Sequence, residues 1–206
     1  MSAKKISEGA ESYIYSGWFL GLDCVLKRRI EKRYRLKEID DELRIRRTKT
    51  EARIMSLVSS IGVNSPKVLL VDRYDIYMSR IPGARLSNIL QSSALKKDMG
   101  RIFSVLGEYA AILHAKDVVH GDLTPANAMV DKDLNVYLID FGLSDFTNSI
   151  EQKALDILLM KRSVDDGLFG AFIQSYRKHS NSGEQVIRRM GEIERRGRYN
   201  TRTILT

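Results

Sequence analysis

Cysteine is almost absent from this chain, which has Cys24 alone among its 206 residues. A single cysteine excludes an internal disulfide framework and a cysteine-based zinc site. It also fits a reducing environment, so we expect a cytoplasmic protein. The three histidines, His114, His120 and His179, lack the spacing of metal ligands. Neither a disulfide scaffold nor a metal site of this kind is therefore expected.

Long apolar runs are also missing, since none approaches the ~20 residues that a membrane helix needs. The first residues, Met1–Lys5, have no apolar segment behind them, so we expect no signal peptide and no membrane association. The sequence contains no internal repeat and no low-complexity linker. Its 43% apolar and 29% charged residues are typical of a soluble globular protein. The length predicts one domain or two small lobes.

The net charge of +8 is unevenly distributed along the chain. Residues 27–53 carry a local charge of +6 and residues 177–202 carry +5, which leaves −3 for everything else. Two basic segments on a nearly neutral body suggest a polyanionic partner, either nucleic acid or an acidic protein face. A pair of solvated helix faces would explain the same charges, and charge alone does not decide between the two.

One motif organises the chain: His120–Asn127 has the form H-x-D-x-x-x-x-N, and Asp140-Phe141-Gly142 follows Asn127 by thirteen residues. Phosphoryl transfer from a nucleotide needs a carboxylate that orients the attacking oxygen, and side-chain oxygens that hold magnesium against the phosphates. The motif supplies Asp122 as the base, with Asn127 and Asp140 as magnesium ligands. Helix and turn capping would explain Asp122 and Asp140 singly, but not their ordered arrangement.

The segment within this motif predicts a β-hairpin. Ala128–Val130 and Val136–Ile139 are two short apolar strands, and the turn Asp131–Asp133 joins them. Such a hairpin would carry Asn127 and Asp140 to the same end, where both side chains could reach one ion.

Upstream of the motif, Lys27 ends a short buried strand that begins at Cys24, and a long helical pattern follows at about 39–60. An ammonium group at this place can pair with the α- and β-phosphates of a nucleotide, while a helical carboxylate fixes its position. Glu51 is the carboxylate that we expect to pair with Lys27. A surface lysine and an i,i+4 helix charge are the alternatives, and the motif at 120–142 favours the ion pair.

The N-terminal part predicts a five-stranded sheet with one helix. After a first strand near residue 5, the predicted strands are Tyr13–Tyr15, Cys24–Lys27, Pro66–Val71 and Asp75–Met78. The small-residue turn Ser7–Ser12 would let backbone N–H groups approach phosphates closely. It has a single glycine and no G-x-G-x-x-G, so an ordinary hairpin turn explains it about as well.

Ser79–Gly83 breaks the strand pattern and is the expected hinge between two lobes, residues 1–82 and 83–206. Extended backbone beside Met78 could hydrogen-bond an adenine edge, through the Ser79 carbonyl and the Ile81 amide. An inert linker is the alternative.

Beyond the hinge the pattern predicts helices near 86–93 and 97–116, then three more, starting near Glu151 and covering about 165–178 and 183–195. A basic tail, Arg195–Tyr199, is expected to follow them. Asp156, on the helix that starts near Glu151, either accepts hydrogen bonds from the catalytic-loop backbone or is solvated.

With these residues in view, the chain resembles a protein kinase reduced to its minimum. More narrowly, it resembles the small atypical kinase of the KEOPS (EKC) complex, a family related to the p53-related protein kinase. The match runs over nearly the whole chain. The positions that carry it are Gly9, Ala10, Glu11, Lys27, Arg28, Arg29, Lys32, Tyr34, Arg35, Ile39, Asp40, Leu43, Arg44, Arg47, Thr48, Glu51–Arg53, His120–Thr124, Asp140–Leu143, Lys153–Asp156 and Arg196–Arg198.

The resemblance implies an α+β, bilobal protein-kinase-like fold: a small β-rich N-lobe with one long helix, a helical C-lobe and no extended activation segment. It implies ATP and Mg²⁺ as cofactors, with Gly9, Ala10 and Glu11 at the nucleotide. Implied partners are a threonylcarbamoyltransferase subunit, a small regulatory subunit on the N-lobe, and tRNA within the complex. The basic residues implied in contacts with a partner or tRNA are Arg29, Lys32, Arg35, Arg196 and Arg198.

Eight residues separate Gly142 from Glu151, and no A-P-E motif follows. The platform on which ordinary kinases lay a peptide therefore has no room, which favours ATP hydrolysis or phosphorylation of a bound partner. One alternative is a RIO-type serine kinase, which would phosphorylate exogenous protein efficiently. The other is a kinase-shaped scaffold without activity, and the intact catalytic set argues against it.

Overall fold

The computed structural model describes residues 3–92 and 95–202, with side chains for 4–92 and 95–196. The chain divides into two units. The first comprises Met1–Pro82 and Tyr137–Gly142, and the second comprises Gly83–Val136 and Leu143–Thr206. The Asp140-Phe141-Gly142 segment therefore belongs to the same unit as Lys27.

The first unit contains the predicted sheet and helix. Its elements are β1 (Ala3–Glu8), β2 (Ser12–Phe19), β3 (Leu22–Arg29), α1 (Lys37–Ser60), β4 (Val68–Val71) and β5 (Asp75–Ser79). The five strands form one sheet in the order β1-β2-β3-β5-β4, and every neighbouring pair is antiparallel. The prediction of a five-stranded sheet with a single helix is confirmed.

The central strand of this sheet, β3, carries Lys27. Its register places Lys27 opposite Ile14 of β2 and Ile76 of β5. β2 and β3 are joined by Leu20 and Gly21, whose φ angles of 49° and 78° are both in the left-handed region. Two-residue turns of this kind match the twist of the flanking strands. The tight hairpin thus fixes the register that positions Lys27.

The helix α1 buries different kinds of residue in its two halves. Ile54, Met55 and Val58 in its C-terminal half are buried apolar residues. Near its N-terminus Asp40 is also buried, and the Nε atom of Arg44, on the same helix, lies 2.7 Å from the Asp40 carboxylate. Glu51 lies between these two buried groups.

The second unit is mostly helical. Its elements are β6 (Ala84–Arg85), α2 (Leu86–Ser92), α3 (Met99–Ala115), β7 (Val118–Val119), a 3-10 turn (Pro125–Asn127), β8 (Ala128–Val130), β9 (Val136–Leu138, which ends in the first unit), β10 (Asp145–Phe146), α4 (Ile150–Ser163), α5 (Asp166–His179) and α6 (Gly183–Arg202). Both strands predicted around the motif form, as β8 and β9. Backbone hydrogen bonds from Asp131 to Asn135 and from Leu134 to Asp131 close the turn.

Three features of the second unit differ from the sequence prediction. The basic tail is not separate, because α6 continues through it to Arg202. The helix α6 as a whole contains no proline, and its arginine and glutamate residues are good helix formers. The strands β7 and β10 were not predicted, since two residues are too few to produce an alternating pattern. Among the helices that the structure describes, none has the length and apolar character needed to span a bilayer.

Candidate active site

The first group of candidate residues is an ion cluster around Lys27. The Lys27 Nζ atom lies 2.6 Å from Glu51 Oε1 and 2.7 Å from Asp140 Oδ1. Lys27 comes from the central strand, Glu51 from the middle of α1, and Asp140 from the segment after β9. Lys27 and Glu51 are buried, whereas the Asp140 side chain is 55% exposed. The structure thus brings together three of the residues that the sequence singles out.

The electrostatics of the cluster keep Lys27 positively charged. Burial acts to lower the pKa of Lys27, but the Glu51 and Asp140 carboxylates outweigh it and hold the pKa above its ordinary value. The ammonium group therefore remains a hydrogen-bond donor at physiological pH. A fixed, desolvated cation of this kind can bind an anionic oxygen far more strongly than a solvated surface lysine can.

Glu51 binds a second cation that the sequence analysis assigned differently. The Arg29 Nη2 atom lies 2.5 Å from Glu51 Oε2, and the Arg29 side chain is only 4% exposed. The burial of Arg29 leaves little of its side chain exposed, and its contact with tRNA or a partner stays a prediction. The spacing could have revealed this position, because residues 27 and 29 of a strand face the same side.

Gly142 leaves room for this cluster. A Cβ atom at Gly142 would lie 3.0 Å from Lys27 Nζ and 3.1 Å from Asp140 Oδ1. The Gly142 N–H also donates to Asp140 Oδ1 at 3.3 Å. The glycine of the D-F-G motif thus allows the lysine–aspartate pair to form against the backbone.

The second group of candidate residues lies in the second unit, where Asn127 is bonded to Asp122. The Asn127 Nδ2 atom donates to the Asp122 carboxylate at 2.7 Å and to the Asp122 carbonyl at 3.0 Å. The Pro125–Asn127 turn supplies the local bend that makes both bonds possible. Because Nδ2 makes both bonds, the Asn127 amide oxygen is the atom suited to bind a metal.

Asp156 fixes the catalytic loop from behind. It is buried, and its carboxylate accepts hydrogen bonds from the backbone N–H groups of His120 at 2.6 Å and Gly121 at 2.8 Å. Of the two alternatives for Asp156, the structure therefore selects the bond to the loop. Buried carboxylates need such partners, since an unpaired one is costly.

His114 extends this buried network to α5. Its Nε2 atom lies 3.3 Å from Asp156 Oδ2, and its Nδ1 atom lies 2.8 Å from the Tyr176 hydroxyl. Burial raises the pKa of Tyr176 to about 12, so its hydroxyl stays protonated. This histidine acts in packing and orientation rather than in metal binding.

Gly121 is the residue of the loop that no other amino acid can replace without strain. Its φ is +79°, and a Cβ atom there would lie 2.2 Å from the Leu143 carbonyl oxygen. A left-handed residue other than glycine costs about 1–2 kcal/mol, and the overlap adds to that cost.

We expect Gly121→Ala to lower ATP turnover by about 100-fold, because a shift of the loop of about 1 Å displaces Asp122. Gly21→Ala is the matched control, since Gly21 has a φ of +78° and no described atom within 4 Å of its Cβ position. Turnover and urea unfolding of both variants make the comparison. Equal turnover in the two variants would contradict the role given to the close approach at Gly121.

The predicted phosphate turn is anchored to the rest of the first unit. The Gly9 N–H donates to the Ser12 carbonyl at 2.9 Å, which closes the turn. Glu11 forms an ion pair with Arg47 of α1 at 2.9 Å, and Lys32 donates to the Ala10 carbonyl. The roles of Gly9, Ala10 and Glu11 at a nucleotide stay predictions.

The predicted adenine-binding residues lie at the end of β5. Met78 is buried, and Ser79 is held by Lys67 through two hydrogen bonds, at 2.8 Å to the Lys67 carbonyl and 2.9 Å from the Lys67 N–H. Ile81 follows the strand and is half-buried. Their contacts with a base stay predictions.

The remaining basic residues lie near the surface in ion pairs. Arg35 lies 3.5 Å from Asp40, and Arg196, with a side chain 58% exposed, lies 3.4 Å from Glu151. The side chain of Arg198 is outside the described residues. Contacts of Lys32, Arg35 and Arg196 with tRNA or a partner stay predictions.

The donor atoms present fit magnesium better than a transition metal. Within the described part of the chain, no group of three or more histidine, cysteine, aspartate or glutamate residues could hold a metal. Magnesium instead takes one or two protein oxygen ligands and completes its shell with phosphates and water. The exposed Asp140 carboxylate and the oriented Asn127 amide oxygen are ligands of that type.

Comparison with known protein families supports this interpretation. The RIO domain pattern matches residues 25–163. A "Probable serine/threonine-protein kinase BUD32 homolog" of Archaeoglobus fulgidus is 41% identical over 183 residues, covering 86% of this chain and 89% of that protein. The "KEOPS complex subunit Bud32" of Pyrococcus abyssi is 35% identical over 220 residues, covering 98% and 99% of the two chains.

Longer relatives also match. A "Probable bifunctional tRNA threonylcarbamoyladenosine biosynthesis protein" of Methanosphaera stadtmanae is 35% identical over 93% of this chain, but this chain spans only 36% of that protein. Among solved structures, the Rio2 kinase of Chaetomium thermophilum, described as an ADP/Mg²⁺-phosphoaspartate complex, aligns with a TM-score of 0.68 at 16% identity. That alignment covers 97% of this chain and 72% of the other. The predicted kinase-like α+β fold is thus confirmed.

Proposed function

We propose a catalytic role for the two residue groups of this chain, which belongs to the RIO-domain family of atypical kinases and, within it, to the Bud32 serine/threonine-protein kinases. Both groups act on one Mg-ATP and transfer its terminal phosphate to a hydroxyl group or to water. The observation that carries the proposal is the contact of buried Lys27 with both Glu51 and Asp140. Kinases require a lysine–glutamate pair and a D-F-G aspartate for this reaction.

Each residue has a distinct part in the transfer. Lys27, fixed by Glu51, binds the nucleotide phosphates, while Asp140 and Asn127 hold magnesium, which neutralises charge on those phosphates. Asp122 orients the attacking hydroxyl or water and accepts its proton. The Asn127 bond holds the Asp122 carboxylate, and Asp156 holds the loop that carries it. Most of the catalysis then comes from positioning and charge stabilisation.

The short segment after Gly142 favours hydrolysis or a bound partner over a free peptide substrate. Asp145 and Phe146 pair with Val119 and Val118, and the Thr147 N–H donates to the Asp117 carbonyl at 2.7 Å. The segment is thus bound to its own unit, and α4 begins at Ile150. An extended peptide platform has no length of chain from which to form.

The wider role follows from the names of the relatives. We place the chain in a cytoplasmic KEOPS-type complex that makes threonylcarbamoyladenosine in tRNA, because the matching proteins are named for that complex and that modification. Its partners there would be the threonylcarbamoyltransferase subunit, a small regulatory subunit and tRNA. Lys32, Arg35, Arg196 and Arg198 are the basic residues assigned to these contacts.

ATP hydrolysis with and without tRNA and the transferase partner tests this proposal. We expect Mg-dependent turnover that the complete complex and tRNA stimulate. Tight tRNA binding without turnover, under all of these conditions, would instead favour a kinase-shaped scaffold. Rapid phosphorylation of an added protein such as casein would favour a RIO-type kinase of broad substrate range.

A further inference from the structure

Arg29 lies in a place where a kinase site of this type has no required residue. The phosphotransfer reaction calls for the lysine and the helical carboxylate, and not for a second cation beneath them. In this chain β3 presents Lys27 and Arg29 on one face, and their exposed fractions are only 6% and 5%. Two buried cations thus approach one buried carboxylate.

Glu51 divides its two oxygens between these cations. Oε1 lies 2.6 Å from Lys27 Nζ, and Oε2 lies 2.5 Å from Arg29 Nη2. The Glu51 carboxylate is therefore fixed by two cations rather than by Lys27 alone.

The charges of the cluster explain what Arg29 contributes. Lys27 and Arg29 carry two positive charges, and Glu51 and Asp140 carry two negative ones, so the four groups are neutral together. Without Arg29 the described ion pairs of the buried Glu51 would reduce to the one with Lys27, and Glu51 would hold that ammonium more tightly. Arginine suits this task because its guanidinium does not lose its proton and is less strongly hydrated than an ammonium.

We propose that Arg29 is a positioning residue for the phosphotransfer site, acting through Glu51 on Lys27. By neutralising Glu51 Oε2 it leaves the Lys27 ammonium available to the phosphates of a bound nucleotide. This inference rests on the proposed function, since it assumes that Lys27 binds those phosphates. It adds Arg29 to the residues of the proposed site. It also predicts that loss of Arg29 lowers the affinity for the nucleotide.

Arg29→Met is the first test, because methionine keeps much of the apolar stem and removes the charge. We expect KM for ATP to rise about tenfold, with a smaller fall in kcat, because Lys27 is withdrawn from the nucleotide while Asp122 is untouched. Arg29→Lys restores the charge and should recover most of the affinity. Arg28→Met is the matched control, since Arg28 is on the opposite face, is 51% exposed in its side chain and pairs with Asp75.

A double-mutant cycle separates this role from simple packing. If Arg29 acts through Glu51, then Arg29→Met should have little further effect on KM in a Glu51→Gln background. Additive effects of the two substitutions, or an unchanged KM in folded Arg29→Met, would overturn the inference. Urea unfolding checks each variant, and if Arg29→Met does not fold, Arg29→Lys and Arg29→Gln replace it in the same comparison.

The design also distinguishes failure of this inference from failure of the proposed function. Wild-type turnover tests the function, whereas the ratio of variant to wild type tests Arg29. Binding of Mg-ADP is measured by calorimetry in parallel, with the same tenfold loss expected in Arg29→Met. If the wild-type chain binds Mg-ADP but does not turn over ATP, the proposed function is wrong. The Mg-ADP affinities of the wild type and Arg29→Met would then still test the role of Arg29.

Discussion

Lys27→Met lowers ATP turnover by about 100- to 1,000-fold, which is the cost of removing one fixed charge from a desolvated transition-state site. The substitution removes the ammonium that lies 2.6 Å from Glu51 and 2.7 Å from Asp140. Methionine is chosen because it keeps the length of the buried stem. Steady-state ATPase assays at saturating Mg²⁺ measure the loss.

The control for this variant is Lys132→Met, because the Lys132 side chain is 89% exposed. Its turnover should equal that of the wild type. Lys27→Met also removes one of the two cations paired with the buried Glu51, which lowers the stability of the fold. Urea unfolding must therefore show that the variant is folded. A folded Lys27→Met chain with wild-type turnover would show that Lys27 has no part in catalysis.

The second large effect is expected at the catalytic loop. Asp122→Asn should lower kcat by about 10²–10⁴-fold, because asparagine cannot accept the proton of the attacking hydroxyl or water. KM for ATP should stay within a few-fold, since Asp122 is assigned to the acceptor rather than to the nucleotide. The hydrogen bond from the Asn127 Nδ2 atom to the backbone carbonyl of residue 122, at 3.0 Å, does not depend on the substituted side chain.

Asp133→Asn serves as the control for this second variant. The Asp133 side chain is 64% exposed and lies in the turn after β8, so its loss of charge should leave kcat unchanged. A rise in KM with no change in kcat at Asp122→Asn would show that Asp122 binds the nucleotide instead. Equal kcat in the wild type, Asp122→Asn and Asp133→Asn would show that Asp122 is not the base of the reaction.

Together the two variants distinguish the role of the ion cluster around Lys27 from the role of the loop that carries Asp122. Lys27→Met is expected to affect both KM and kcat, whereas Asp122→Asn is expected to affect kcat alone. The scaffold alternative predicts no turnover to lose in any of these proteins. A kinase of broad substrate range predicts the same losses, measured on an added protein substrate.

Those parts of the fold that repeat a local pattern could be predicted from the sequence. The strand pairs of the first unit alternate or cluster apolar residues between turn residues, so β2, β3, β4 and β5 were each anticipated. The helix α1 was anticipated from its length, although its first half buries Asp40, beside Arg44 of the same helix, rather than apolar residues. By contrast, β7 and β10 are two residues long and carry no pattern.

The candidate site was predictable where a motif fixes the chemistry. Asp122, Asn127 and Asp140 stand at fixed spacings, and Lys27 and Glu51 could be named because a kinase needs that pair. The pairing of Arg29 was missed because it lies in a basic run, and a basic run is usually a solvated face. Its partner Glu51 is 22 residues away, and no local rule gives the pairing of charges over that distance.

The contacts of Asp156 and Tyr176 could not be predicted from the sequence for the same reason. Asp156 could be noted as a polar residue on a helix, but its bonds to the His120 and Gly121 backbone depend on how α4 packs against the loop. Tyr176, whose hydroxyl reaches His114, gave no signal beyond that of an aromatic core residue. Tertiary packing, rather than propensity, decides such contacts.

The most direct measurement of the central claim is ATP turnover by the purified chain and by Lys27→Met, each with Mg²⁺ and with the metal removed by a chelator. We expect the wild-type chain to hydrolyse ATP, chelation to stop this hydrolysis, and Lys27→Met with Mg²⁺ to turn over ATP about 100- to 1,000-fold more slowly than the wild type. Turnover that persists after chelation, or that is equal in the two proteins, would contradict our account.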